Sequence, residues 1–166
     1  MNPLQLLDIL KLGESEDLEC KKSKNEVPKS LWDTYSAMAN TNGGIILLGI
    51  DEVDNELIIT GVESVDKVIK DFWSILNGEK VNKNILKNED LEVIDIDNKS
   101  VIKINIPRAY YKDKPIFING NPYKGTYKRN YEGDYKCHED EVKAMIRDAS
   151  EQGGDSIILE GYDMCD

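Results

Sequence analysis

Glu14, Glu19 and Asp51 are the residues on which hydrolytic chemistry could rest. Carboxylate oxygens are hard ligands, and three of them converging would suit magnesium or manganese. An ion held that way could activate water for phosphodiester cleavage. Lys21 lies two positions beyond Glu19 in an alternating stretch, so it shares a strand face with Glu19 and could meet a phosphate. The chain carries 32 acidic residues, most of which must be solvated surface, so spacing alone leaves both readings open.

A second group of residues points to nucleic acid. Between positions 103 and 136, eight cations (Lys103, Arg108, Lys112, Lys114, Lys124, Lys128, Arg129 and Lys136) face three acids, a net +5. The rest of the chain carries −16, for an overall formal charge of −11. Tyr110, Tyr111, Tyr123, Tyr127, Tyr131 and Tyr135 fall in the same segment. Cations interleaved with aromatics suit phosphate contact and base stacking. They equally suit a β-rich region in which Tyr favours strands and Lys solvates an edge. The total charge argues against non-specific phosphate binding by the chain as a whole.

Other candidates carry less. Cys20, Cys137 and Cys165 have no metal-ligand spacing and only His138 beside them, which predicts no zinc and a reducing, cytoplasmic setting. Cys20 reads as a small core residue. Gly43 and Gly44 lie between a helix and a strand, the reverse of a phosphate loop. Gly43 is therefore expected as a helix C-cap with positive φ, and Gly44 as a point of close backbone approach. Asn40 and Asn42 are expected to cap neighbouring backbone groups, with facing a ligand as the alternative. Trp32 and Trp73 are expected in helices, as core. Lys21-Lys22-Ser23-Lys24 reads either as a nucleic-acid contact or as a solvated strand end. No apolar run has the length of a membrane span, and the first twelve residues lack the basic and long apolar regions of a signal peptide.

The elements that must position these residues follow from periodicity. Residues 3–10 read as a short amphipathic helix and 17–22 as a half-buried strand. A helix begins near Pro28, with Leu31, Tyr35, Met38 and Ala39 as its stripe. The aliphatic run from Ile45 follows as a buried strand that ends at Gly49 and delivers Asp51. Residues 51–55 are expected to turn and 56–60 to return as a hairpin partner. Ser64 should cap a helix through about Leu76, ended by Asn77-Gly78. Strands over 91–96 and 100–106 flank a turn at Asp97-Asn98-Lys99. Short strands are expected at 116–118 and 123–127. A helix over 139–149 should turn Val142, Met145 and Ile146 inward and break at Gln152-Gly153-Gly154. The order αβαββαββ, then strand, then helix, predicts one α+β domain over 1–150 with helices packed on a mixed sheet. Residues 151–166 read as an acidic tail, a linker to a C-terminal region.

Three stretches carry a family resemblance. They are Glu14-Ser15-Glu16-Asp17-Leu18-Glu19-Cys20-Lys21, Ala37-Met38-Ala39-Asn40-Thr41-Asn42-Gly43-Gly44 and Leu48-Gly49-Ile50-Asp51. Together they resemble the Schlafen AlbA-type domain, with its E-S-x-x-x-E-F-K start, A-F-A-N-T-x-G-G turn and G-V-D-D strand end. Ile106-Pro107, Lys114-Pro115-Ile116 and the segment 123–129 continue the likeness, which covers about residues 5–150. On this resemblance Asn40, Thr41, Gly43, Gly44 and Gly49 are motif positions. It implies a DNA-binding module at the N-terminus of a longer transcriptional regulator, with further C-terminal domains. Phosphate contacts would then come from Arg108, Lys112, Lys124, Lys128 and Arg129, with Tyr127 beside them.

The animal Schlafens supply the alternative. Some are metal-dependent endoribonucleases acting on structured RNA, and their catalytic carboxylates match Glu14, Glu19 and Asp51. In that reading the cofactor is magnesium or manganese; otherwise none is expected. A protein-interaction module of a larger assembly is the third reading. Cys20 and Met38 stand where the family commonly has Phe, and Glu52 where it often has a second Asp. The animal proteins pair two such domains in one chain, so a single copy could act as a homo-oligomer. No membrane partner is expected.

Overall fold

The computed structural model describes residues 18–131 and 133–154, together with Asp8, which is helical. The rest of the expected helix over 3–10, and Glu14, lie outside the described residues. Four strands form the main sheet: β1 (Leu18–Lys21), β2 (Gly44–Leu48), β5 (Leu91–Ile96) and β6 (Lys99–Ile106), in the order β1-β2-β6-β5. β1 runs parallel to β2, and the other pairs are antiparallel. The α+β mixed sheet expected from the sequence is therefore what the chain forms.

Parallel pairing of β1 with β2 needs a crossover. It is supplied by α1 (Leu31–Asn40), the helix expected from the stripe after Pro28. Along β2 the aliphatic side chains alternate between two clusters. Ile46 and Leu48 join Leu31, Tyr35 and Met38 of α1 and Val68 and Phe72 of α2 (Val65–Leu76). Leu47 turns to the other face, with Leu18, Ile50, Ile94, Ile96 and Val101. Trp32 is core, stacked on Phe72 at 5.4 Å between ring centroids.

The second face is covered by a separate hairpin, β3 (Ile50–Val53) paired with β4 (Glu56–Ile59). The hairpin was expected, but with the strand from Ile45 as its first arm and residues 51–55 as its turn. Gly49, at φ +101°, ends that strand as expected, but a new strand starts at Ile50, and the Gly49 carbonyl accepts from the Thr60 and Gly61 amides at 2.9 and 2.8 Å. Asp51 consequently lies inside β3 and not beyond a strand end. Asp54-Asn55 and Asp97-Asn98 both have positive φ at each residue, as the tight two-residue hairpin turn demands.

Other expectations need correction. The Ser64 hydroxyl does not cap α2 and donates to Asn25 Oδ1 at 2.6 Å. Residues 116–118 make only isolated bridges, Phe117 with Thr126 and Val81 with Ile118. Pro122–Gly125 is a single helical turn, α3, and not a strand. Asn121 Oδ1 accepts the Tyr123 amide at 2.9 Å, and Pro122 presets the first helical φ, so local capping overrides the strand preference of Tyr. β7 (Tyr127–Asn130) and β8 (Gly133–Lys136) then form a second hairpin. The last helix, α4, spans Glu139–Gly154, past the expected break at 152–154. Val142 is fully buried, but Ile146 is exposed.

Candidate nucleic-acid interface

The turn after α1 is where the motif residues do their structural work. The Gly43 amide donates to the Met38 carbonyl at 2.7 Å with φ +75°, the helix cap its position predicts. A Cβ there would stand 2.6 Å from the Ile106 carbonyl oxygen and 2.9 Å from the Arg108 amide nitrogen. The glycine thus lets the turn pack against the point where β6 releases the chain towards Arg108.

Asn40, also at the end of α1, is buried and faces protein backbone, as a cap and not as a ligand group. Its carbonyl oxygen accepts the Ile116 amide at 2.9 Å, and its amide donates to the carbonyls of Ile116 and Tyr127 at 2.9 and 3.0 Å. The Ser36 hydroxyl donates to Ile116 at 2.7 Å and accepts the Tyr127 amide at 3.0 Å. Thr41 Oγ1 accepts the Arg129 amide at 2.9 Å. β7 is therefore pegged along α1 by side chains that replace a missing strand partner.

Arg129 lies on the protein side of this hairpin, its side chain only 2 % exposed. Its guanidinium pairs with Asp134 at 2.8 Å and Glu19 at 2.9 Å and donates to the Leu18 carbonyl at 3.2 Å. Burial alone would lower its pKa, but the bonds to Asp134 and Glu19 outweigh that and raise it. A guanidinium so enclosed joins β7, β8 and β1 and does not reach a phosphate. The expectation of a phosphate contact at Arg129 is thus corrected by its burial. Lys128 is half-exposed and pairs with Glu141 at 2.8 Å, a bond that raises the lysine's pKa and lowers that of the carboxyl. Tyr127 is half-buried; desolvation first, then the carboxylates of Asp33 and Asp134, raise its hydroxyl pKa.

The carboxylates expected to hold a metal are placed only in part. Glu14 is outside the described residues. Glu19 projects opposite Leu18 and Cys20 and is already balanced by Arg129, with Lys21 Nζ a further 3.9 Å away. Lys21 itself donates to Ser30 Oγ at 3.0 Å. Asp51 Oδ1 accepts the Glu52 amide at 2.9 Å. Among the described residues no three His, Cys, Asp or Glu side chains approach closely enough to hold a metal ion. Glu19, spoken for by a buried guanidinium, does not fit a magnesium or manganese ligand.

What remains on the outside is cationic and aromatic. Arg108, Lys112 and Lys124 are exposed, and none is ion-paired to a described residue. Lys112 Nζ sits 6.0 Å from the Tyr111 ring centroid, and Tyr110 and Tyr111 are in contact at 4.5 Å. Lys114, one of the segment's eight cations but not one of the expected phosphate contacts, has its pKa lowered by burial and then by the charge of Arg108. Tyr110, Tyr123, Tyr131 and Tyr135 are exposed, Tyr131 by 81 %. α4 packs against both Tyr111–Asp113 and α3, gathering Tyr110, Lys112, Tyr123 and Lys124 around one helix.

A family model described as Schlafen, AlbA_2 matches residues 14–138, a span that holds β1 to β8 and stops before α4. The chain belongs to the Schlafen AlbA_2 family. Among solved structures it is similar to the N-terminal domain of a protein from Nitrosomonas europaea named as related to the ATP-dependent DNA helicase RecG. That likeness has 26 % identity and a TM-score of 0.63, over 82 % of this chain and 94 % of that one. It is also similar to the DIP2311 protein from Corynebacterium diphtheriae, at 16 % identity and a TM-score of 0.56, over 87 % of this chain and 32 % of that one. The second likeness concerns the fold alone. No curated protein is significantly similar to the chain. Among the described residues of this AlbA_2 domain, no helix is long and apolar enough to cross a membrane.

Proposed function

We propose that this Schlafen AlbA_2 domain binds nucleic acid, DNA in the first instance, as the recognition module of a transcriptional regulator. The observation that carries the reading is the exposed set Arg108, Lys112 and Lys124, unpaired among the described residues and interleaved with exposed tyrosines. Unpaired cations can release counterions from a phosphate backbone, and exposed rings can stack on bases. In a chain of net charge −11, a region of exposed cations without carboxylate partners is where a phosphate backbone would meet least repulsion. Family membership, and a similar domain in a protein named for a DNA helicase, support the same class of partner.

Binding to duplex DNA and to tRNA, titrated between about 50 and 200 mM salt, tests this. Affinity should fall steeply, and R108A/K112A/K124A should reduce the log–log slope by about one per cation removed. A flat salt dependence, or no binding at low salt, overturns the reading. The same titration with manganese tests the nuclease alternative. Cleavage lost in Asp51→Ala would replace binding with catalysis. Asp51 is the cleaner probe, because Glu19→Ala also strips Arg129 of a partner.

A further inference from the structure

The loop between β1 and α1 holds cations that the proposed interface does not use. Residues 22–29 line a groove of about 630 Å3, with Lys22, Lys24 and Lys29 against a single acid, Glu26. The loop is held in place from below. The Ser23 hydroxyl, buried, donates to the Glu26 carbonyl at 2.6 Å. The Lys24 carbonyl accepts the Glu63 and Ser64 amides at 2.8 and 3.1 Å, and Lys67 Nζ donates to the Asn25 carbonyl at 3.0 Å. The backbone is therefore fixed to the start of α2, while the lysine heads stay in water. Lys24 makes one loose exposed pair with Glu63 at 3.7 Å, and Lys22 and Lys29 pair with no described residue.

This loop enters α1 at Ser30, whereas Arg108 lies at the other end of that helix, where the Ala109 amide donates to the Ala39 carbonyl at 2.8 Å. A ten-residue helix sets the two cationic regions about 15 Å apart along its axis. Phosphates recur every ~3.4 Å along one strand, so this separation corresponds to a few nucleotides; α1 itself is buried, and a bound strand would pass over the elements that cover it.

We infer that Lys22, Lys24 and Lys29 form a second phosphate-contacting site, engaged by the same nucleic acid that the Arg108 region binds. The inference rests on the nucleic-acid reading above. Its test is the salt dependence of binding to a 20-base-pair duplex by the whole chain, its K22A/K24A/K29A variant and the K22R/K24R/K29R variant. The alanine variant should lose about three from the slope, one per lysine, and the arginine variant should restore it. Sites this far apart should act independently, so combining the alanine set with R108A/K112A/K124A should add the two losses. An alanine variant with the slope and affinity of the unsubstituted chain overturns the second site and leaves the first standing. No binding by the unsubstituted chain at low salt overturns both. A circular-dichroism melt checks the fold, which should be unchanged because these lysines anchor nothing buried.

Discussion

At the scale of single residues, Arg129 shows how side-chain type and side-chain role part company. The sequence places a cation in a basic, tyrosine-rich segment, and the default for arginine is the surface. Burial could not be read there, because one partner, Glu19, lies 110 positions away on another strand. The other partner was legible in principle: Arg129 and Asp134 face each other across the β7–β8 hairpin. Removing the guanidinium would leave two carboxylates in a closed space without their counter-charge. Arg129→Met should therefore cost about 3–5 kcal/mol, seen as a lower urea midpoint at unchanged m-value. The folded variant should keep the salt slope of DNA binding, whereas Lys112→Ala should lose about one from it. An Arg129→Met protein of full stability with a reduced slope would restore Arg129 as a phosphate contact.

At the scale of elements, the helix, glycine turn and buried strand over residues 31–48 were legible because three signals agree there: a helical stripe, a cap glycine and a continuous aliphatic run. The end of that strand at Gly49 was legible too, but the new strand from Ile50 was not, since residues 51–55 read as a turn. Only the long-range bonds from Thr60 and Gly61 decide that a new strand begins. Likewise Tyr123 suggested a strand, while the Asn121-Pro122 cap set a helical turn. The turn glycines can be ranked by the same logic. Gly43 and Gly120 share φ +75°, so alanine at either costs about 1–2 kcal/mol in backbone conformation. Only at Gly43 would the added Cβ run into backbone; around Gly120 nothing lies within 4 Å. Gly43→Ala should therefore destabilise by about 1–3 kcal/mol more than Gly120→Ala, compared by thermal or urea unfolding. Equal losses would mean that the approach of the turn to Ile106 and Arg108 is not tight.

At the scale of the whole molecule, the α+β class was readable from element order, but the division of charge acquires meaning only from where the strands end. Arg108 follows the end of β6, which pairs with the start of β2, and the β3–β4 hairpin continues from the other end of β2. Its exposed Glu52, Asp54 and Glu56 thus lie at least one strand length from Arg108, about 16 Å for five residues. Screening decides whether such charges are felt: the Debye length is about 30 Å at 0.01 M salt and about 8 Å at 0.15 M. The hairpin acids should therefore repel an approaching phosphate backbone in dilute buffer and be silent near physiological ionic strength. In stopped-flow association with duplex DNA, E52Q/D54N/E56Q should bind several-fold faster than the unsubstituted chain at about 0.01 M salt. The two should be indistinguishable at about 0.15 M. An acceleration that persists at the higher salt would put the hairpin within contact distance of the nucleic acid, and the binding face would have to be redrawn to include it.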